Sequence, residues 1–315
     1  MIISPISISI ALAMCYAGAK NSTADQISKA IAGDATNNEI LDYFSSVMIQ
    51  LNLRNKSYEL DSANRIYVQE KFQFLQNYKQ ILTDKFQGQF KNIDFINSGA
   101  VAQVKTFVFL YKNAIDGLTR MILTNAIYFK GTWEYKFEKG QTKQKTFYLA
   151  ENREQKVPMM KIKNPFPYYE DDQVQVLGLH YKSQEVVLYV VLPKERFGLN
   201  NVELPRFKIE TELSLNNALK QLGITDAFDQ QSADFSGMTG SRDLYVSDVV
   251  HKAFIVTSEE GSEAAAATGV VMTFMSPNGG NFDQLKTFHA DHPFFYTLAT
   301  RQGDVLFSGT VASLD

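Results

Sequence analysis

Apolar positions follow two rhythms along this chain, helix-like spacing early and strand-like runs later. Ser4 to Ala19 is apolar at most positions, which predicts a largely buried helix, stopped by Gly18 and the polar Lys20-Asn21-Ser22. Thr23-Ala24-Asp25-Gln26 has capping-box spacing and predicts a second helix ending near Gly33. A third helix is expected from Asn38 to Leu53. Tyr58 to Val68 predicts a strand with Asn64 inside it, Leu75 to Phe86 a helix, Phe90 to Phe95 a short strand, and Ala100 to Phe109 a helix. Met121 to Phe129 is an almost unbroken apolar run, the signature of a strand buried on both faces. Asn125 sits inside that run and must find a hydrogen-bond partner there.

Strands dominate afterwards. Phe147 to Lys163, Gln175 to Tyr181 and Val186 to Leu192 read as strands of mixed exposure. Val202 to Glu210 is another, whose Pro205 points to an edge or a bulge. Leu213 to Leu222 predicts a helix stopped by Gly223, and Leu244 to Thr257 a long strand. Phe294 to Thr300 and Val305 to Val311 pair as a hairpin across Arg301-Gln302-Gly303-Asp304. Helices come first, strands later, and no internal repeat appears, so the pattern predicts an α+β fold.

The stretch from Ser258 to Ser276 has mixed preferences. Its alanines and Glu263 suit a helix, but Gly269 weakens one by about 1 kcal/mol relative to Ala. Val270 to Phe274 suits an extended chain. Written as a strand, one face carries Ser262, Ala264, Ala266, Thr268, Val270 and Met272, none of them charged. The other carries Glu263, Ala265, Ala267, Gly269, Val271 and Thr273. Such a segment could slide into a sheet with its uncharged face against a core; a loop or short helix fits the composition equally well.

The totals narrow the function classes. The 315 residues are 45% hydrophobic and 21% charged, an ordinary globular composition with material for a substantial core. A net charge of -3 gives no reason to expect a nucleic-acid partner. Cys15 is the single cysteine, which rules out an intrachain disulfide framework, and its apolar setting predicts a buried structural thiol. No apolar run is long enough to span a membrane. Ile2 to Ala19 is interrupted by Ser4, Pro5, Ser7 and Ser9 with no basic segment before it, so no signal peptide is visible. There is no Gly-x-Ser-x-Gly elbow, phosphate-binding glycine loop or cysteine pair, which argues against an enzyme. His289 and His292 lack a third ligand, and Pro293 keeps their segment extended, so neither a metal nor a cofactor is expected.

Four motifs, in order along nearly the whole chain, resemble the serpins, the serine-protease inhibitor superfamily. Ser4-Pro5-Ile6-Ser7-Ile8 is similar to the family's early helix, and Asn125-Ala126-Ile127-Tyr128-Phe129-Lys130-Gly131-Thr132-Trp133 to its central-sheet signature. Glu259-Glu260-Gly261-Ser262-Glu263-Ala264-Ala265-Ala266-Ala267-Thr268 resembles the hinge of an inhibitory member, and Phe288-His289-Ala290-Asp291-His292-Pro293-Phe294 the C-terminal signature. The resemblance implies a single α+β domain over residues 1–315, with helices around a large mixed central sheet, two smaller sheets and an exposed reactive-centre loop at about 259–281. It implies a suicide-substrate inhibitor, not an enzyme, that forms a covalent complex with a serine protease as a monomer. Counting along the loop puts the reactive bond at Met275-Ser276, an antitrypsin-like pair, with Phe274 the alternative if the register slips. Met suits chymotrypsin-like and elastase-like pockets, and the lack of Arg or Lys from Gly261 to Asn281 disfavours trypsin-like ones. By position, Ser4, Ser7, Asn125 and His251 resemble the polar "shutter" under the sheet centre. Gly131, Trp133, Arg206 and Glu259 resemble the "breach" where the loop first enters, with an Arg206–Glu259 ion pair expected.

Departures and alternatives follow from the same resemblance. The chain starts where the family's second helix starts, and it is shorter than the family pattern near 104–121 and 197–204. A non-inhibitory carrier or chaperone would place charged, proline or bulky residues in the hinge, unlike Ser262 to Ala267. The same loop could also serve a cysteine protease. A glycosaminoglycan site is an option at Lys71, Lys79, Lys85 and Lys91 or at Lys136, Lys139, Lys143 and Lys145, but acidic residues interleave the first group as on a solvated face. A secreted protein is expected, in which Asn21-Ser22-Thr23 and Asn55-Lys56-Ser57 would be glycosylation sites.

Overall fold

The computed structural model describes residues 1–52, 58–87, 89–97, 115, 118–149, 153–194, 202–262 and 288–314. A short strand, Ile2–Ile3 (β1), precedes the first helix, Pro5–Tyr16 (α1). Ser4 caps that helix by accepting the Ser7 N–H, and Pro5 fills a first-turn position that needs no donor. Ile6, Ser7 and every residue from Ile10 to Cys15 are buried, as expected of a helix that is apolar all round. Cys15 is a buried free thiol whose pKa is pushed well up by burial.

Three more helices and two strands follow: Asn21–Ala32 (α2), Asn37–Asn52 (α3), Tyr58–Gln69 (β2), Gln76–Phe86 (α4) and Gln89–Ile93 (β3). Helix α2 starts ahead of the predicted cap at Thr23, and the capping box does not form. Thr23 Oγ1 instead accepts the Asp234 N–H at 2.9 Å, and Gln26 Oε1 accepts the N–H groups of Thr225 and Asp226, each at 2.9 Å. Distant backbone donors have taken the side chains that the local motif would have used.

The remaining elements are Met121–Thr132 (β4), Lys143–Tyr148 (β5), Glu154–Ile162 (β6), Tyr168–Glu170 (β7), Val174–His180 (β8), Val186–Pro193 (β9), Val202–Pro205 (β10), Phe207–Ser214 (β11), Asn216–Gln221 (α5), Ser236–Thr239 (α6), Asp248–Ser258 (β12), Gly261–Ser262 (β13), Phe288–His289 (β14), Phe294–Thr300 (β15) and Val305–Val311 (β16). Among the described residues they make three sheets, ordered β11-β12-β13-β4-β2-β3, β1-β16-β15-β9-β8-β7 and β14-β10-β6-β5. The first is mixed and holds the longest strands; the second is antiparallel throughout. The core lies between these two, where Phe129 meets Phe307 and Phe207 meets Tyr296. This is the expected α+β class.

Several predicted elements differ in extent. The single strand expected at Phe147–Lys163 is a hairpin of β5 and β6, paired from Lys143↔Met159 to Tyr148↔Glu154. The strand expected at Val202–Glu210 breaks at Arg206, and its halves join different sheets, β10 the third and β11 the first. Pro205 ends β10, and the Arg206 N–H turns to the Pro158 carbonyl. Strand β11 then runs to Ser214, so α5 is shorter than the helix predicted from Leu213. The both-face burial predicted for β4 holds from Met121 to Asn125, while Ala126 to Thr132 alternate between buried and half-buried.

Candidate functional site

The centre of the main sheet is a parallel seam between β4 and β12, paired in register from Ile122↔Asp248 to Tyr128↔Phe254. At the head of the seam the two strands part. Gly261–Ser262 lies between them, antiparallel to both, with Ser262 opposite Gly131 and Thr257, and Gly261 opposite Thr132 and Ser258. Only glycine fits at position 261: its φ is +143°, and an added Cβ would stand 2.0 Å from the Gly131 carbonyl oxygen.

The Glu259-Glu260 turn between β12 and β13 is anchored through both carboxylates and both carbonyls. The Glu259 carboxylate accepts from both Arg206 Nε, at 2.8 Å, and Arg206 Nη2, and also from the Thr142 hydroxyl. Burial opposes its ionisation, but these hydrogen bonds outweigh that and hold its pKa below the usual range. Lys136 Nζ stands 2.7 Å and Lys139 Nζ 3.3 Å from the Glu260 carboxylate, and the Lys136 contact leads in lowering its pKa. The Glu259 and Glu260 carbonyls accept the Phe137 and Trp133 N–H groups, each at 3.0 Å, and the Ser258 carbonyl accepts Trp133 Nε1–H at 2.8 Å. Trp133 stacks on Tyr181 with centroids 4.3 Å apart, and the Tyr181 hydroxyl bonds the Ser262 hydroxyl. The predicted Gly131, Trp133, Arg206 and Glu259 therefore all meet at the head of the seam. Thr142, Lys136, Lys139 and Tyr181 complete it; in the sequence the two lysines stood out only as a candidate polyanion cluster, and Thr142 and Tyr181 not at all.

Lower in the seam, the predicted Ser4, Ser7, Asn125 and His251 also meet. His251 Nε2 accepts the Ser4 N–H at 3.0 Å, so the ring proton lies on Nδ1 and is donated to Asn125 Oδ1. The Asn125 amide donates to Asn64 Oδ1 and, on its other side, to the Ser7 hydroxyl and carbonyl. Ser62 extends the cluster, 3.3 Å from both Ser7 Oγ and Asn64 Nδ2. Asn64 and Asn125 are register partners on β2 and β4. The available signal for Asn64 was a lone asparagine inside a segment that reads as a strand. Burial pushes the His251 pKa from 6.5 down to about 4. A second proton on Nε2 would also oppose the Ser4 N–H.

The hinge residues Glu263, Ala264, Ala265, Ala266, Ala267 and Thr268 lie outside the described residues, as do Phe274, Met275 and Ser276. So do Asn55, the helix expected at Ala100–Phe109 and most of the two shortened segments. Of the lysines considered for a polyanion site, Lys85 pairs with Asp42, Lys136 and Lys139 with Glu260, and Lys145 with the buried Glu203.

Comparison with known proteins gives this geometry a family. A family model described as "Serpin (serine protease inhibitor)" matches residues 1–203 and 198–314. Leukocyte elastase inhibitor A of Mus musculus is 36% identical, the match covering 98% of this chain and 92% of that protein. Intracellular coagulation inhibitor 1 of Tachypleus tridentatus is 33% identical over 99% of this chain and 84% of its own. Among solved structures, Serpin48 of the insect Tenebrio molitor superposes with a TM-score of 0.89 at 28% identity, covering 100% of this chain and 92% of that one. These relatives are inhibitors by name, in line with the expectation of an inhibitor rather than an enzyme. They overturn the expectation of a secreted protein, since a protein named as intracellular matches over nearly the whole chain. The Asn21 amide is itself occupied, donating to Asp234 Oδ2 at 2.8 Å. The chain belongs to the serpin family.

Proposed function

We propose that the protein is a suicide-substrate inhibitor of a chymotrypsin-like or elastase-like serine protease. The observation that carries this is the wedge of Gly261–Ser262 at the head of a parallel seam. A chain continuing from Ser262 in the same direction would be antiparallel to both β4 and β12. It could bond to both once they part. Serpin reactive-loop insertion is a known case of such strand addition. The mouse and human relatives are named elastase inhibitors, which favours that pocket class.

The steps follow. A protease serine attacks the Met275 carbonyl, the bond to Ser276 breaks, and the acyl-enzyme forms with the Ser276 amine as leaving group. The freed upstream segment, small from Ser262 to Thr268 except at Glu263, enters the seam and carries the protease with it. About a dozen new ladder bonds at roughly 1 kcal/mol each, with Val270 and Met272 buried, would make insertion favourable by on the order of 10 kcal/mol. The uncleaved state is then held by a barrier. In this scheme Arg206, Trp133, Gly131 and Glu259 fix the entry point, and Ser4, Ser7, Asn125 and His251 guard the seam below it.

The test mixes the protein with neutrophil elastase, chymotrypsin, trypsin and papain, followed by denaturing gels and mass spectrometry. A covalent band with elastase or chymotrypsin and a cut after Met275 is expected; a cut after Phe274 would shift the register by one. Cleavage with no covalent band would sink the inhibitory mechanism, and a band with papain alone would move the target to cysteine proteases. Ala264→Arg should turn the inhibitor into a substrate, because the two-residue alternation puts position 264 on the same face as the buried Ser262. Ser262 is a poor site for that substitution, being already buried before any cleavage.

A further inference from the structure

Tyr128 and Phe254 are the last directly opposed residues of β4 and β12 before Gly261–Ser262 comes between the strands. Their rings stack across the seam with centroids 6.2 Å apart and planes 15° from parallel. Both are half-buried on the outer face of the sheet, the face opposite Asn125 and His251. Lys208 of β11 adds a third layer, its ammonium 5.4 Å from the Phe254 ring centroid. Below the fork, the outer-face partners are Ala126 with Lys252 and Thr124 with Val250, which have no ring to stack. Among the described residues, this is the one aromatic pair that bridges the seam.

Accepting a strand here means moving β4 and β12 from one strand spacing to two, from about 4.8 Å to about 9.6 Å. Rings that stack at 6.2 Å cannot keep contact across that gap. The stack must therefore break at the first step of zipping, before the buried polar cluster is reached. We propose that Tyr128 and Phe254 form an aromatic clasp that sets how fast the β4–β12 seam opens to an entering strand. They are positioning residues for insertion, and their role rests on the insertion mechanism proposed above. Lys208 holds Phe254 on the β12 side, so the clasp breaks at the Tyr128 contact.

The test measures uptake of a labelled synthetic peptide copying Glu263–Phe274 of this chain, by native gel and by the rise in thermal midpoint, with no protease present. Tyr128→Ala and Phe254→Ala should each speed uptake about three- to tenfold. The double variant should be no faster than either single one, because one contact is lost in all three. Tyr128→Phe keeps the stack and should take up peptide at the wild-type rate. If the alanine variants do not fold, Phe254→Leu carries the test, with the same acceleration expected. Unchanged rates in the single variants, or accelerations that multiply in the double, would overturn the clasp. A wild-type protein that takes up no peptide overturns it together with insertion. Normal uptake without a covalent protease complex sinks the inhibitory function alone and leaves the clasp standing.

Discussion

The head of the seam and its middle are fastened by opposite chemistry. At the head, Glu259 and Glu260 are held ionised by Arg206, Lys136 and Lys139. At the middle, Ser4, Ser7, Asn64, Asn125 and a neutral His251 share hydrogen bonds with no charge among them. The head lies at a rim: the side chains of Arg206 and Lys139 are 44% and 63% exposed. Water can rehydrate those two cations, although the Glu259 side chain that Arg206 anchors is only 3% exposed. The middle is sealed, with Ser4, Ser7 and His251 at 0% and Asn125 at 1% exposure. A bond lost there leaves buried groups with nothing to pair with. The cations at the head can therefore let go and re-form at less cost than any group in the middle, which suits an entry point, while the middle resists opening.

The sharpest break in that comparison is Asn125→Ala. It orphans His251 Nδ1–H and the Asn64 carbonyl oxygen in a sealed site, so a loss of about 3–5 kcal/mol is expected. A marked fall in the first thermal unfolding midpoint would register it. An Asn125→Ala protein that melts like wild type would mean that the buried cluster does not hold the seam.

Acidity separates the two regions next. The His251 pKa is about 4 in the folded chain against 6.5 when free, so the unfolded state binds the proton more readily. Stability is complete above pH 6.5 and falls as pH drops toward 4, by about 3 kcal/mol in total. Glu259 and Glu260, whose pKa values are lowered from 4.5, keep their contribution above that value and lose it as pH falls through their folded values. His251→Gln should flatten the upper part of the melting-versus-pH curve and leave the lower part. A curve unchanged by that substitution would assign the acid sensitivity elsewhere.

At the head, Arg206→Ala leaves the buried Glu259 carboxylate with only the Thr142 hydroxyl and its own N–H among the described residues, and about 1–3 kcal/mol is expected because Arg206 is partly in water. The exchanged pair Arg206→Glu with Glu259→Arg should recover part of it; no recovery would mean that packing rather than charge fixes the turn. Lys139→Ala should be the mildest change, under about 1 kcal/mol and fading with salt, since Lys139 is mostly exposed and Lys136 remains on Glu260.

Much of this was legible in the residues themselves. Alternation and apolar runs marked β2, β4, β9, β15 and β16 nearly to their ends, because a strand's two faces impose a period that needs no partner to be seen. The family resemblance, rather than local pattern, brought out Ser4, Ser7, Asn125, His251, Gly131, Trp133, Arg206 and Glu259. Tertiary structure alone decided the rest. It split Val202–Glu210 between two sheets at Arg206, because strand propensity says nothing of which sheet a strand joins. It took Thr23 and Gln26 from their local cap to serve backbone donors near Asp234 and Asp226. It also opposed Tyr128 to Phe254 at the fork, a register between strands far apart in the chain. Local pattern reports what a residue prefers; partners distant in sequence determine which of those preferences is met.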